Sequence, residues 1–265
     1  MEFILVLIGG YLLIHVALLI FQRDLIYFPP QSISESDRAS LKDFKFVEVH
    51  TEDDLTLKAY FKAPQSSHKP ILIFFHGNGS DPAWESYKTF PMREKGYGVL
   101  MATYRGYAGN PGSPSEAGLF RDGEAYIAWI KQAYPDAPLI VYGQSLGSGV
   151  AVEMASRYQM AAVVLEVPFF SALSVASRLY SYIVGMDFLM KDQFRNDLKI
   201  GKIKAPILFL LSGNDEVVSL QSGLDLFEVA NAPKTKIVLE HAGHTNIYNY
   251  GAGDALAAFL EKEIK

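Results

Sequence analysis

In the stretch from Leu139 to Tyr158, LIVYGQSLGSGVAVEMASRY, a serine stands between two glycines, Gly143-Gln144-Ser145-Leu146-Gly147. An apolar run precedes it and a small-residue segment of helical character follows, so Ser145 is predicted on a sharp strand-to-helix turn. Glycines suit such a corner because the backbone is strained and strand and helix approach closely. The turn lifts the hydroxyl off the sheet. It also leaves the N–H of Leu146 at a helix N-terminus, ready to stabilise an oxyanion. A serine hydroxyl is inert at neutral pH unless a base takes its proton, and the base needs an orienting acid. The plain alternative is a serine that merely accommodates a tight turn, so its partners decide.

In a parallel sheet those partners come from loops at the carboxyl ends of strands. The run 206–212 leads into GNDEVVS, which offers Asp215 and Glu216, and the run 235–241 leads into HAGHTN, which offers His241 and His244. Asp215 also suits a turn cap beside Gly213-Asn214, and His241 also suits a strand end. After the run 70–75, His76-Gly77-Asn78-Gly79 can present a second backbone N–H to an oxyanion. His76 itself reads as a ring that binds nearby backbone and holds that loop. There is no cysteine, no phosphate-binding Gly-rich loop with lysine and no HExxH. Nucleotide chemistry, thiolate or zinc sites and a cysteine nucleophile therefore lack carriers, and no cofactor or metal is implied.

The elements that position these residues follow from hydrophobic patterning. FKFVEVHT and LTLKAYFKAP, joined by a turn around Asp53, predict an antiparallel hairpin. The runs 70–75, 97–104, 138–143, 161–167, 206–212 and 235–241 are apolar on both faces, as buried parallel strands must be. Helical stretches at 83–95, 115–133, 146–158, 219–231 and 252–264 lie between them. Strand alternating with helix predicts a doubly wound α/β sheet. The longer connection 171–205 reads as a small insertion or cap. Its Leu179, Tyr182, Ile183, Phe188 and Leu189 either line an apolar pocket or pack the insertion itself.

At the N-terminus no Asp, Glu, Lys or Arg occurs from Phe3 to Phe21. Nineteen helical residues span roughly 28 Å, close to the hydrocarbon thickness of a bilayer. A signal peptide fits less well, because the start lacks basic residues and no small-x-small cleavage site follows. The expected organisation is a membrane anchor over 1–25 and a single domain over 26–265, entered through the Ser-rich linker after Arg23 and its Pro29-Pro30. His15, the strongly polar residue of the span, is expected to pack against a neighbour. The flanking charges leave the membrane side of the domain open. With a net charge of −5 and no basic run, the chain lacks a nucleic-acid footprint.

Taken together these pieces resemble the α/β-hydrolase superfamily, above all its small membrane-anchored HGNG-type serine hydrolases, which include lipid esterases and protein depalmitoylases. The resemblance rests on the apolar span, LIYFPP, FFHGNG, YRGYAGNPGSPSEAG, GQSLGSGVA, LEVPF, SGNDEVV and AGHTNI, in the family's order over nearly the whole chain. It implies an α/β-hydrolase fold: a mostly parallel eight-stranded sheet with helices on both faces, a small cap at about 171–205 and an N-terminal transmembrane helix. It also implies Ser145 as nucleophile, Asp215 as acid, His244 as base, and the backbone amides of Asn78 and Leu146 as oxyanion donors. The expected reaction is hydrolysis of carboxylic ester or thioester bonds in acyl lipids or acylated proteins. A serine peptidase, an acyltransferase and a non-catalytic membrane scaffold are the other readings. Arg105 is expected to pin its loop to a carboxylate, with an anionic substrate as the sharper option, and Glu166 to support loops near the site. Val167, Ala108 and Asn110 depart from the family pattern, which puts the shape of the substrate mouth in doubt.

Overall fold

The computed structural model describes residues 2–32 and 39–264; part of the predicted linker, 33–38, lies outside the described residues. Eight strands form one sheet in the order β1-β2-β4-β3-β5-β6-β7-β8. The first two, β1 (Lys45–His50) and β2 (Thr56–Lys62), make the expected hairpin, and β2 pairs antiparallel with β4 (Gly98–Ala102). From there onward every pairing is parallel: β4 with β3 (Ile71–Phe75), then β5 (Leu139–Gln144), β6 (Ala162–Glu166), β7 (Ile207–Ser212) and β8 (Lys234–Leu239). Every residue of β3 to β7 is buried, because helices cover both faces. Alternation along β3 sends Ile73 and Phe75 into one core and Leu72 and Phe74 into the other.

The helices are α1 (Glu2–Ile26), α2 (Pro82–Glu85), α3 (Phe90–Glu94), α4 (Glu116–Ala133), α5 (Leu146–Arg157), α6 (Ala172–Leu179), α7 (Met186–Leu189), α8 (Leu220–Val229) and α9 (Ala252–Glu263). One sequence expectation changes here. The stretch 83–95 is not one helix but α2 and α3 joined by a 3₁₀ turn, Ser86–Thr89. Pro91 has no N–H to donate, and its ring would collide with the carbonyl four residues back, so a helix can begin at this proline but cannot run through it.

The insertion 171–205 carries α6, α7 and two 3₁₀ turns, Asn196–Leu198 and Ile200–Lys202. It lies along α1, a helix long and apolar enough to cross a membrane, with a mean hydropathy of 2.7 in its most apolar stretch. The two are joined by polar contacts. Tyr11 Oη donates to the Tyr182 carbonyl (3.2 Å) and accepts from the Val184 N–H (2.9 Å). The His15 ring lies between the Tyr11 and Val184 carbonyls, at 2.9 and 3.1 Å. Gln22 bonds both the Leu189 carbonyl (3.0 Å) and the Lys191 N–H (2.7 Å), and Arg23 pairs with Asp192 at 2.8 Å.

Candidate active site

Three strand ends and their loops meet at the carboxyl edge of the sheet. β5 ends at Gln144 and α5 begins at Leu146, so Ser145 must turn the chain alone. It does so at φ 48° and ψ −116°, a conformation L-residues seldom adopt. The glycines make this possible by close approach: a Cβ at Gly147 would run into the Phe75 carbonyl, and one at Gly143 into the carbonyl of Gly147. The Ser145 N–H donates to the Glu166 carbonyl at 2.9 Å, which ties the corner to the end of the neighbouring strand. Val167, next along, also has positive φ (44°), costly for a β-branched residue, and its N–H is held by the Leu210 carbonyl at 2.9 Å.

The loop after β7 carries Asp215 and the loop after β8 carries His244. His244 Nδ1 lies 2.7 Å from Asp215 Oδ2, and its Nε2 lies 3.0 Å from Ser145 Oγ. A carboxylate only accepts, so Nδ1 carries the proton and the Nε2 lone pair faces the serine hydroxyl. Asp215 Oδ1 accepts the N–H groups of Val217 and Val218, both at 2.8 Å, so the carboxylate is fully engaged and only 2% exposed. His241 and Glu216 are absent from this chain of bonds, and both lie at the surface.

Leu146 is the first residue of α5, where helical N–H groups have no acceptor within the helix. On the other side stands the loop after β3. A Cβ at Gly77 would sit 3.6 Å from Ser145 Cβ, so the residue next to Asn78 packs against the serine. The Asn78 side chain points away into a clasp. Its Oδ1 accepts from the Phe28 N–H (2.9 Å) and Tyr107 Oη (2.7 Å), and its Nδ2 donates to the Ile26 carbonyl (2.6 Å). His76 Nδ1 donates to the Gly77 carbonyl (2.8 Å), the Tyr104 hydroxyl donates to the His76 carbonyl (2.9 Å), and Nε2 is buried without a partner. Burial pushes the His76 pKa down to about 4, so the ring is neutral.

Behind the corner lies a buried charge network that sequence reasoning saw only in Glu166. Lys88, 1% exposed, pairs with Glu166 at 2.6 Å and Glu85 at 2.7 Å. The Gln144 amide sits between Lys88 and Glu85 (3.0 and 3.2 Å). Burial works against the Lys88 charge, but Glu166 and Glu85 outweigh it and raise its pKa. The Tyr142 hydroxyl donates to the other Glu166 oxygen and reaches Tyr248 Oη at 3.0 Å, four residues beyond His244. Glu166 therefore links the serine corner to the histidine loop. In sequence Lys88 looks like any helix lysine; its partner lies 78 residues away.

Arg105 is taken up by Asp122 (2.8 Å) and Asp53 (2.7 Å), the carboxylate role expected of it. Asn110, one of the family departures, bridges the Lys58 N–H (2.8 Å) and the Thr103 carbonyl (3.0 Å). Of the insertion residues picked out as pocket lining, Tyr182, Ile183 and Leu189 line an apolar cavity of about 380 Å³ against α1. Leu179 and Phe188 are exposed and lie outside it. Among the described residues no group of three or more His, Cys, Asp or Glu side chains is placed to hold a metal.

A family model described as "Serine aminopeptidase, S33" matches residues 66–186. An uncharacterized protein of Mycobacterium tuberculosis is 33% identical over 228 residues, covering 85% of this chain and 81% of that protein. The human alpha/beta hydrolase domain-containing protein 17B is 32% identical over 204 residues, 74% of this chain and 68% of that one. The zebrafish (Danio rerio) lysophosphatidylserine lipase ABHD12 is 34% identical over 197 residues, 66% of this chain and 51% of that one. Among solved structures, the Pyrococcus furiosus esterase Pf2001 superposes with a TM-score of 0.73 at 20% identity, covering 90% of this chain and 98% of that one. With its sheet order, its serine corner and these relatives, the chain belongs to the α/β-hydrolase superfamily.

Proposed function

We propose that the protein is a membrane-anchored serine hydrolase that cleaves carboxylic ester or thioester bonds of acyl lipids or acylated proteins. The observation that carries this reading is the continuous chain Ser145 Oγ–His244 Nε2 and His244 Nδ1–Asp215 Oδ2, at 3.0 and 2.7 Å. Ser145 Oγ attacks the acyl carbonyl as its proton passes to His244 Nε2, and Asp215 stabilises the imidazolium and keeps the ring oriented. The backbone amides of Leu146 and Asn78 receive the oxyanion of the tetrahedral intermediate. Its collapse expels the alcohol or thiol, which takes the proton from His244 and leaves an acyl-serine. Water, deprotonated by the same histidine, then attacks the acyl-serine, releasing the acid and restoring the hydroxyl. No step calls for a cofactor.

The anchor and the lipase among the relatives favour acyl substrates over soluble esters. The description of the matching family model favours a second reading, a serine peptidase with the same three residues. Labelling with a fluorophosphonate probe tests the common ground. Wild type is expected to label, Ser145→Ala not at all, and His244→Ala slowly. Labelling that survives Ser145→Ala would show that another serine is the nucleophile, and none in folded wild type would favour a non-catalytic scaffold. Parallel assays on acyl esters, thioesters and aminoacyl amides then separate esterase, thioesterase and peptidase.

A further inference from the structure

The cavity between α1 and the insertion is built differently from a chance gap between packed elements. Ile14, Leu18 and Leu25 of α1 form one wall; Ile183, Met186 and Leu189 of the insertion form the other. Its volume of about 380 Å³ falls in the range of small-molecule sites, and its lining is predominantly apolar. It runs along α1 from Ile14 to Ile26, roughly 18 Å at about 1.5 Å per residue. At its Ile26 end the helix that walls it is tied to the serine's loop: the Ile26 carbonyl accepts from Asn78, which is next to the glycine that packs on Ser145.

The insertion's backbone supports the same placement. A non-helical segment at membrane depth is tolerated only where its polar groups find partners. Here the carbonyl of Tyr182 and both backbone groups of Val184 are met by Tyr11 and His15, the polar side chains of an otherwise apolar stretch. On the outer side of the same segment, Val184 and Phe188 are 75% and 88% exposed. An apolar outer surface with satisfied backbone suits hydrocarbon better than water.

We propose that this cleft is the acyl-chain site of the hydrolase, entered sideways from the bilayer, so that α1 is one wall of the substrate pocket as well as an anchor. The proposal rests on the serine-hydrolase reading above. It assigns chain-length selection to the fit between α1 and the insertion. The occupant is a single hydrocarbon chain, whose carbonyl end lies toward Ser145 and whose methyl end lies toward Ile14.

The test is a series of acyl esters from acetate to palmitate, assayed in mixed detergent micelles with the full chain. Wild-type kcat/KM is expected to climb by up to roughly fourfold per added methylene until the cleft is full, then level off. Leu18→Trp and Met186→Trp fill the cleft from opposite walls, and each is expected to lower the palmitate-to-acetate ratio at least about tenfold. Phe188→Trp, on the same insertion but outside the cavity, is expected to leave that ratio as in wild type. A ratio unmoved in both cleft variants, or a wild-type profile flat with chain length, would overturn the acyl site while leaving an acetate-cleaving, probe-labelled Ser145 intact. Wild type that neither labels at Ser145 nor cleaves acetate would instead sink the hydrolase reading, and this site with it.

Discussion

The side-chain amide of Asn78 donates to the carbonyl of Ile26 at 2.6 Å, so the last residue of the apolar helix is bonded to the loop that packs on Ser145. The same side chain accepts from Phe28 N–H and Tyr107 Oη, and the loop's position therefore depends on the segment that leaves the helix. Each such bond contributes about 0.5–1.5 kcal/mol net, but losing all three loosens the loop whose backbone amide is the proposed oxyanion donor. Asn78→Ala is expected to lower kcat by roughly tenfold to a hundredfold with a much smaller change in KM, because an oxyanion donor acts in the transition state. Steady-state kinetics on a short ester checks this; a raised KM with kcat unchanged would assign the clasp to substrate binding instead.

The serine corner tolerates no side chain at Gly147. The Phe75 carbonyl occupies the place of a Cβ, and both neighbours are backbone, which cannot swing aside. Gly147→Ala is expected to cost about 3 kcal/mol or more, seen as a fall of many degrees in melting temperature in detergent, with probe labelling lost in parallel. A variant that melts like wild type would mean that β3 and α5 are not so closely apposed.

Lys88 and Glu166 make a buried pair whose halves are costly alone. Lys88→Met leaves two carboxylates facing each other without a cation and is expected to destabilise by roughly 3–5 kcal/mol. Glu166→Gln removes one of those charges, so the double variant is expected to recover part of the loss. Melting curves for the two single variants and the double close the cycle. Simple additivity would show that the pair does not couple.

His76 makes stability depend on pH in a fixed direction. Burial holds its folded pKa near 4 against an unfolded value near 6.5, so below neutrality the unfolded chain binds the proton first. The contribution is fully present above pH 6.5 and is lost as pH falls, by about 2 kcal/mol at pH 5. His76→Asn is expected to flatten the slope of melting temperature between pH 7 and pH 5. The same slope in variant and wild type would place the acid sensitivity elsewhere.

The candidate site residues could be named from sequence because each sits in a local signature. Glycines fix the corner at Ser145, and Asp215 and His244 follow apolar runs in chain order. The structure brings these three within hydrogen-bond reach of one another, and the eight strands stand where the apolar runs lie. What was illegible is what depends on distant pairing. Lys88 is indistinguishable from a surface lysine until Glu166 is placed beside it. Nothing in HGNG says that the Asn78 side chain will hold the end of α1, and Tyr11 and His15 acquire their roles only once Tyr182 and Val184 lie against them. The break at Pro91 was readable in principle, and the apolar periodicity masked it.

The bonds between α1 and the insertion have a further consequence for biosynthesis. Tyr11 and Val184 stand 173 positions apart, and Gln22 and Lys191 stand 169. The helix leaves the ribosome well before its partners, which follow β1 to β6 in the chain. Closing so long a loop is paid late and slowly, whereas the sheet strands pair with nearer neighbours. Docking of the insertion onto the helix is therefore expected to be a late step of folding. That docking also brings together the two walls of the apolar cavity, which belong to segments as far apart in the chain as Gln22 and Lys191.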